Sequence, residues 1–228
     1  MQVALVTGAS RGFGLALARR LARDGYALVL DARGAPALDD AARELAAITT
    51  VRAIPGDVAD PEHRAALIAA AWELGGLDLL VNNASVLGPS PQPALAEYPI
   101  DTLRAVYEVN VLAPIALTQE ALPLLRARHG TIVNVTSDAA VEPYEGWSGY
   151  GSSKAALEQA GNVLGAEEHD VRVYSFDPGD MRTQMHQDAF PGEDISDRPL
   201  PESVVPSLIA LLQEYPVSGR YRAQELVP

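Results

Sequence analysis

The chain has 228 residues, of which 48% are hydrophobic and none is cysteine, so one domain with a well-filled core fits it and disulfide or thiolate chemistry is excluded. The 17 basic and 30 acidic side chains give a formal net charge of −13, which would repel a polyanion, and we expect no nucleic-acid partner. No apolar run approaches the ~20 residues of a membrane span, and we expect no membrane partner.

Apolar strands and alanine-rich helices alternate along the chain. The first strand begins directly after Met1 and Gln2, so we expect no signal peptide and a cytoplasmic location. The predicted strands are 3–6, 27–30, 51–54, 77–81, 132–135, 171–176 and 220–223. The predicted helices are 12–23, 37–47, 61–74, 101–128, 152–168 and 202–213. Because wholly apolar strands joined by helices form a parallel sheet covered on both faces, the sequence predicts a doubly wound α/β fold of about seven strands, as one domain over 1–228.

Prolines break the regular alternation in three places. Pro114 and Pro123 interrupt the helical segment 101–128, where we expect a break or kink. The stretches 87–99 and 178–201 follow predicted strand ends, where open α/β sheets bind ligands. We therefore expect 179–201 to be a substrate-side loop, with an ordinary surface loop as the alternative.

Between the first strand and the first helix, residues 7–14 read TGASRGFG. A helix N-terminus presents unpaired N–H groups and a partial positive charge, which attract a phosphate. Gly8 would form the turn, Gly12 would let the backbone approach a pyrophosphate, and Gly14 would allow close packing of the helix. A glycine triplet also suits a plain strand–helix turn, so further motifs are needed to choose a dinucleotide site.

The spacing Gly-x-x-x-Gly-x-Gly resembles that of the short-chain dehydrogenase/reductase family, and other motifs follow in that family's order. They are Asp57-Val58, Asn82-Asn83-Ala84, Asn110, Ser137, Tyr150-x-x-x-Lys154, Pro178-Gly179 and Thr183. The resemblance implies a Rossmann-type fold and the transfer of a hydride between a nicotinamide cofactor and a carbonyl or alcohol group. One position departs from the pattern, because Ser85 stands where the family usually has glycine.

Tyr150 and Lys154 lie four residues apart, on one face of a predicted helix. A nearby ammonium would lower the pKa of a tyrosine from its ordinary ~10, so we expect Tyr150 to be the general acid or base. Tyr144 has Ser148 at the corresponding position and is the weaker candidate. The resemblance implies that Ser137 hydrogen-bonds the substrate oxygen.

By the same resemblance, Lys154 also holds the nicotinamide ribose, and Asn110 anchors a water that passes protons to it. A helix-kinking core asparagine is the alternative for Asn110. No metal site is expected, because the four histidines are scattered along the chain. The expected cofactor-binding residues are Gly8, Ser10, Arg11, Gly12, Phe13, Gly14, Arg33, Asp57, Val58, Asn83, Ala84, Tyr150, Lys154, Pro178, Gly179, Met181 and Thr183.

The end of the second strand bears on the choice between NAD and NADP. A carboxylate there selects NAD, whereas arginines accommodate the 2′-phosphate of NADP. Asp31 favours NAD at first sight, but the family's discriminating acid belongs at Ala32, and alternation along a strand allows Asp31 to face away. Arg11 and Arg33 could flank one phosphate. We predict NADP(H), with NAD(H) as the alternative.

The predicted pocket is bordered by aromatic and methionine side chains, so we expect a small, uncharged, partly apolar substrate. They are Tyr144, Trp147, Met181, Met185 and Phe190. Two alternatives stay open: a catalytically silent NAD(P)-binding sensor, and a 3-oxoacyl-thioester reductase. The retained Tyr–Lys pair counts against the first, and acidic residues near the site count against the second. The resemblance also implies a homodimer or homotetramer, paired through 101–128 and 152–168.

Overall fold

The computed structural model describes residues 1–226. Seven strands form one sheet in the order β3-β2-β1-β4-β5-β6-β7, and every neighbouring pair is parallel. The strands are β1 Val3–Val6, β2 Ala27–Ala32, β3 Val51–Pro55, β4 Leu79–Asn82, β5 Thr131–Val135, β6 Arg172–Asp177 and β7 Gly219–Arg222. The predicted Rossmann-type doubly wound fold is confirmed.

Eight α-helices cover the two faces of the sheet in the described part of the chain. They are α1 Gly12–Arg23, α2 Ala35–Ala46, α3 Pro61–Glu73, α4 Ile100–Tyr107, α5 Ala113–Arg128, α6 Ser148–Glu167, α7 Gln184–Ala189 and α8 Pro201–Glu214. No helix within residues 1–226 is long and apolar enough to cross a lipid bilayer.

Side chains of β1 alternate between two apolar layers. Ala4 and Val6 pack into the layer that contains α1, α2 and α8, whereas Val3 and Leu5 pack into the layer that contains α3 and α5. All four are fully buried, and a fully buried leucine contributes about 1.5–3 kcal/mol through removal from water. Burial on both faces explains why the strands read as continuous apolar runs.

The chain builds β1, β2 and β3 in one direction and then returns to place β4 on the other side of β1. Open α/β sheets bind ligands in the crevice outside the carboxyl ends of the strands at such a reversal. The topology therefore places the ligand crevice between the segments that follow β1 and β4.

The structure differs from the prediction in the place where one helical segment is interrupted and in the start of another helix. The segment 101–128 is interrupted by a π-helical turn at Glu108–Leu112 rather than at a proline. Pro114 lies in the first turn of α5, where a missing N–H is harmless, and the helix continues through Pro123. In addition, α6 begins at Ser148, four residues earlier than predicted. The stretch 178–201 contains the short helix α7.

Candidate active site

A cavity of about 1170 Å³ lies at the carboxyl ends of the strands. It brings together residues that follow β1 and β4 and residues at the ends of β2, β5 and β6, which are far apart in the sequence. The predicted site residues that line it are Gly8, Ser10, Arg11, Gly12, Phe13, Arg33, Asp57, Val58, Asn83, Ala84, Ser137, Tyr150, Lys154, Pro178, Gly179, Met181 and Thr183. Two predicted residues, Gly14 and Asn110, are not part of its lining.

The glycine loop has the backbone shape that a phosphate site needs. Gly8 and Gly12 have φ of +66° and +57°, which residues with a Cβ rarely adopt. A Cβ on Gly14 would lie 2.5 Å from the Gly8 carbonyl oxygen, so this glycine permits the helix to approach the loop itself. The cradle is walled by backbone at the N-terminus of α1, and the residues present therefore fit a dinucleotide pyrophosphate.

Asn83 holds this loop in place. Its side-chain amide donates to the carbonyl oxygens of Thr7 at 2.8 Å and Gly8 at 3.2 Å. The hydroxyl oxygen of Thr7 accepts in return from the N–H groups of Asn83 and Ala84, each at 3.0 Å. These bonds join the end of β4 to the end of β1, so Asn83 acts on the shape of the cofactor loop as well as lining the cavity.

The wall formed by the glycine loop and the end of β2 carries two exposed arginines and a buried aspartate. Within residues 1–226, the guanidinium groups of Arg11 and Arg33 form no ion pair or hydrogen bond, and both residues line the cavity. Asp31 is only 2% exposed, and its Oδ1 lies 2.6 Å from His63 Nε2. Burial raises the pKa of Asp31, and the bond to His63 opposes that rise. Asp57 lies nearby, with Oδ1 accepting from the Ala59 N–H at 2.9 Å.

Tyr150 and Lys154 lie on the first turns of α6 and are 8% and 2% exposed. The Lys154 ammonium donates to the Val135 carbonyl oxygen at 2.9 Å and lies 5.5 Å from the centre of the Tyr150 ring. Ser137 caps a short turn, where its hydroxyl donates to Asp138 Oδ1 at 2.9 Å and accepts from the Ala139 N–H.

The expected lowering of the Tyr150 pKa is wrong for this structure. Burial raises the pKa of Tyr150 above its ordinary value, and the carboxylates of Asp177 and Asp138 add to the rise, opposed by Ser85. Burial also lowers the pKa of Lys154 to about 8. The sequence pattern places the ammonium near the phenol, but it gives no measure of how far both groups are removed from water.

Asn110 lies in the π-helical turn and is 1% exposed. Its amide nitrogen donates to the Val86 carbonyl oxygen at 2.9 Å and to the Ser153 hydroxyl at 3.0 Å. Its amide oxygen accepts from the Val86 N–H at 2.8 Å and from the Ser85 hydroxyl at 3.1 Å. Both amide donors are thus used to join the segment after β4 to α6, so a water relay would have to use the main-chain carbonyl of Asn110.

Sequence reasoning missed a buried ionic cluster beneath Ser137. The Arg220 guanidinium, from β7, donates to the Ser137 carbonyl oxygen at 3.2 Å and to Asp177 Oδ2 at 2.7 Å, and it also bonds Glu158. The Thr136 hydroxyl donates to the same Glu158 carboxylate at 3.0 Å. Buried carboxylates require a cationic partner, so the acidic residues on the apolar elements β6 and α6 were the available signal.

Aromatic side chains line the substrate side of the cavity. The Trp147 ring centre lies 5.8 Å from that of Tyr150 and 5.8 Å from that of Phe190. Met181 and Met185 line the same cavity. Tyr144 is 47% exposed and donates to Asp138 Oδ2 at 2.8 Å. That hydrogen bond raises the pKa of Tyr144, and no lysine lies one turn away from it, because Ser148 occupies the corresponding position.

Comparison with known proteins agrees with this geometry. Residues 2–194 match the family model of the short chain dehydrogenases. The chain is 34% identical to serine 3-dehydrogenase of Agrobacterium fabrum over 185 residues, which cover 79% of this chain and 72% of that protein. It is 35% identical to sepiapterin reductase of Mus musculus over 199 residues, which cover 81% and 76%. The alcohol dehydrogenase of Thermococcus sibiricus complexed with 5-hydroxy-NADP superposes with a TM-score of 0.87 at 30% identity, covering 97% of this chain and 95% of that one.

The fold, the glycine loop and these matches define a nicotinamide-dependent oxidoreductase. The chain belongs to the short-chain dehydrogenase/reductase family. Membership of this family favours an enzyme over the catalytically silent sensor.

Proposed function

We propose that the protein is an NADPH-dependent reductase of a small, uncharged, partly apolar carbonyl compound. One observation carries the proposal: a single cavity is lined by the buried Tyr150 and Lys154 and by Arg11 and Arg33, whose guanidinium groups have no partner among residues 1–226. The first pair suits proton transfer and the second suits a phosphate.

In this proposal each catalytic side chain acts on one oxygen or one proton. When bound, the nicotinamide would supply the hydride that adds to the carbonyl carbon. Tyr150 donates its phenolic proton to the carbonyl oxygen, because its raised pKa keeps the phenol protonated at neutral pH. Ser137 donates to the same oxygen in place of Asp138, and Lys154 holds the ribose and returns a proton to Tyr150.

The choice of NADP depends on charge. A 2′-phosphate brings negative charge to the wall that holds Arg11 and Arg33, whose guanidinium groups are available for charge-assisted hydrogen bonds. The solved structure of the Thermococcus alcohol dehydrogenase contains an NADP derivative, which supports the same assignment. Asp31 does not offer a free carboxylate to the ribose, because it is buried and bonded to His63.

The lining of the substrate side supports the proposed substrate class. Trp147 and Phe190 provide an apolar wall, whereas Asp138, Glu145 and Asp180 also line the cavity and would repel an anionic substrate. The same acidic residues disfavour a 3-oxoacyl thioester carried on an acidic protein.

The test measures cofactor binding and turnover separately. Kd for NADPH and NADH should be compared in the wild type, Arg11→Ala and Arg33→Ala. Each substitution removes charge-assisted hydrogen bonds worth ~1.5–3 kcal/mol, so NADPH should bind about tenfold more weakly or worse. NADH affinity should change little, and Arg43→Ala, on the exposed face of α2, is the matched control.

Turnover should then be followed by absorbance of the reduced cofactor with a panel of ketones, aldehydes, quinones, pterins and sterols. Tighter NADH binding in the wild type, or unchanged NADPH affinity in both arginine variants, would reverse the cofactor assignment. A panel in which only charged carbonyl compounds are reduced would contradict the substrate class.

A further inference from the structure

A buried histidine–aspartate pair lies beside the cavity, with Asp31 in the lining and His63 behind it. His63 lies on α3 and Asp31 on β2, and their side chains are 7% and 2% exposed. His63 Nε2 lies 2.6 Å from Asp31 Oδ1. The His63 ring also packs on the backbone at Gly56, where an added Cβ would overlap it. The ring is therefore fixed by a glycine on one side and by the carboxylate on the other.

The Asp31 carboxylate accepts a hydrogen bond from the His63 ring. It also lies beside Gly8 in the cofactor loop, whose backbone N–H lowers the pKa of Asp31. Its main-chain carbonyl oxygen accepts from the Ala9 N–H at 2.8 Å. Other charged side chains that line the cavity include Asp57, after β3, Arg11 and Arg33, and Arg19, which pairs with Glu44. A carboxylate held in this way forms part of the wall rather than a ligand for a ribose hydroxyl.

We propose that His63 is a positioning residue for cofactor specificity: it holds the Asp31 carboxylate within the wall, so that a 2′-phosphate meets Arg11 and Arg33 without a carboxylate facing it. The inference rests on the proposed use of NADPH. It adds that His63 makes NADPH binding compatible with the presence of Asp31. Without His63, the carboxylate loses its side-chain partner in a buried position and turns toward the cavity, because an unpaired buried charge is unfavourable. There it accepts from a ribose 2′-hydroxyl and repels a 2′-phosphate.

The experiment measures Kd for NADPH and NADH by calorimetry in four variants. His63→Ala should weaken NADPH binding about tenfold or more, since like charges brought together cost several kcal/mol, whereas NADH affinity should be retained or increased, because the same carboxylate accepts from the 2′-hydroxyl. The double variant His63→Ala/Asp31→Asn should recover NADPH affinity to within about threefold of the wild type, because the repelling charge is gone. His63→Gln keeps an N–H donor for the carboxylate and should retain most of the NADPH preference.

Asp31→Asn alone keeps the test decisive if His63→Ala folds poorly. With His63 present, the carboxylate does not face the phosphate, so NADPH affinity should stay within about threefold of the wild type. A tenfold gain in NADPH affinity on Asp31→Asn would overturn the inference. The matched control is His129→Ala, which removes a histidine that lies 3.5 Å from Asp170 on the surface, outside the cavity.

The possible outcomes separate this inference from the proposed function. A wild-type preference for NADH overturns the proposed cofactor and this inference together. An NADPH preference that survives His63→Ala, or a loss of NADH and NADPH affinity in equal proportion, overturns this inference alone. Failure of the double variant to recover NADPH affinity also overturns it, because the effect of His63 would then not pass through Asp31.

Discussion

Lys154 is the single lysine of the chain, and it is buried where an ammonium is least stable. Burial lowers its pKa from 10.5 to about 8, a difference that corresponds to about 3 kcal/mol of destabilisation below pH 8. Lys154→Met removes this penalty and also removes the hydrogen bond to the Val135 carbonyl oxygen, which costs about 1–2 kcal/mol. The variant should therefore be more stable than the wild type by about 1–2 kcal/mol at pH 7, while its turnover is lost.

The dependence on pH tests this reasoning. The native protein releases the lysine proton near pH 8, whereas the unfolded chain keeps it up to about pH 10.5. The free energy of unfolding of the wild type should therefore rise with pH between these two values. The advantage of Lys154→Met should shrink as the pH rises from 8 and should reverse above about pH 10, where the burial penalty is gone and the lost hydrogen bond to Val135 remains.

Thermal unfolding at pH 7 should show a Tm about 2–8 °C higher in the variant, since 1 kcal/mol corresponds to about 2–4 °C for a chain of this size. Because there is one lysine, NMR of protein labelled at lysine Cε gives one signal, which should titrate near pH 8. A Tm difference that does not change with pH, or a lysine signal that titrates near its ordinary pKa, would refute the reasoning.

Four further outcomes are expected. Tyr150→Phe should lower kcat by more than tenfold and leave Kd for NADPH within about threefold, because the proposed function assigns proton transfer to the phenol and cofactor binding to the glycine loop; retention of a tenth of wild-type kcat would count against this role. Ser85→Gly restores the family's residue and removes a donor to a buried amide, so Tm should fall by about 2–4 °C, and an unchanged Tm would show that the hydroxyl is dispensable. Arg220→Met leaves the buried carboxylates of Asp177 and Glu158 without their cation and should lower the free energy of unfolding, measured in urea, by about 3–5 kcal/mol. A decrease below about 1 kcal/mol would contradict the burial of the cluster. Leu112 and Val163 are 53% and 47% exposed on the two helical segments proposed to pair between copies. Because pairing would cover these apolar side chains, light scattering at micromolar concentration should show a homodimer or homotetramer. A monomer would contradict the proposed pairing.

The parts of the site that could be predicted are those encoded by spacing within one short segment. The glycine loop needs positive φ at Gly8 and Gly12, and that need is visible in the residue type. Tyr150 and Lys154 share a helix face because they are four residues apart. The sheet could be predicted as well, because strands buried on both faces are apolar throughout.

The parts that could not be predicted depend on partners that are distant in sequence. Arg220 contacts Ser137 across 83 residues, and His63 contacts Asp31 across 32. A strand pattern shows which face a side chain takes, but it does not show which side chain it meets there. The direction of the Tyr150 pKa shift was wrong for a related reason, since burial and nearby carboxylates come from the assembled fold.

The proposed reaction is direct hydride transfer from NADPH to a carbonyl carbon, with Tyr150 supplying the proton. It is tested with NADPH carrying deuterium at both C4 positions of the nicotinamide and the best carbonyl compound from the panel, with the product analysed by mass spectrometry and NMR. One deuterium is expected on the carbinol carbon of the alcohol in the wild type, and less than a tenth as much product with Tyr150→Phe. An alcohol without deuterium at that carbon, or equal product from the variant, would contradict it.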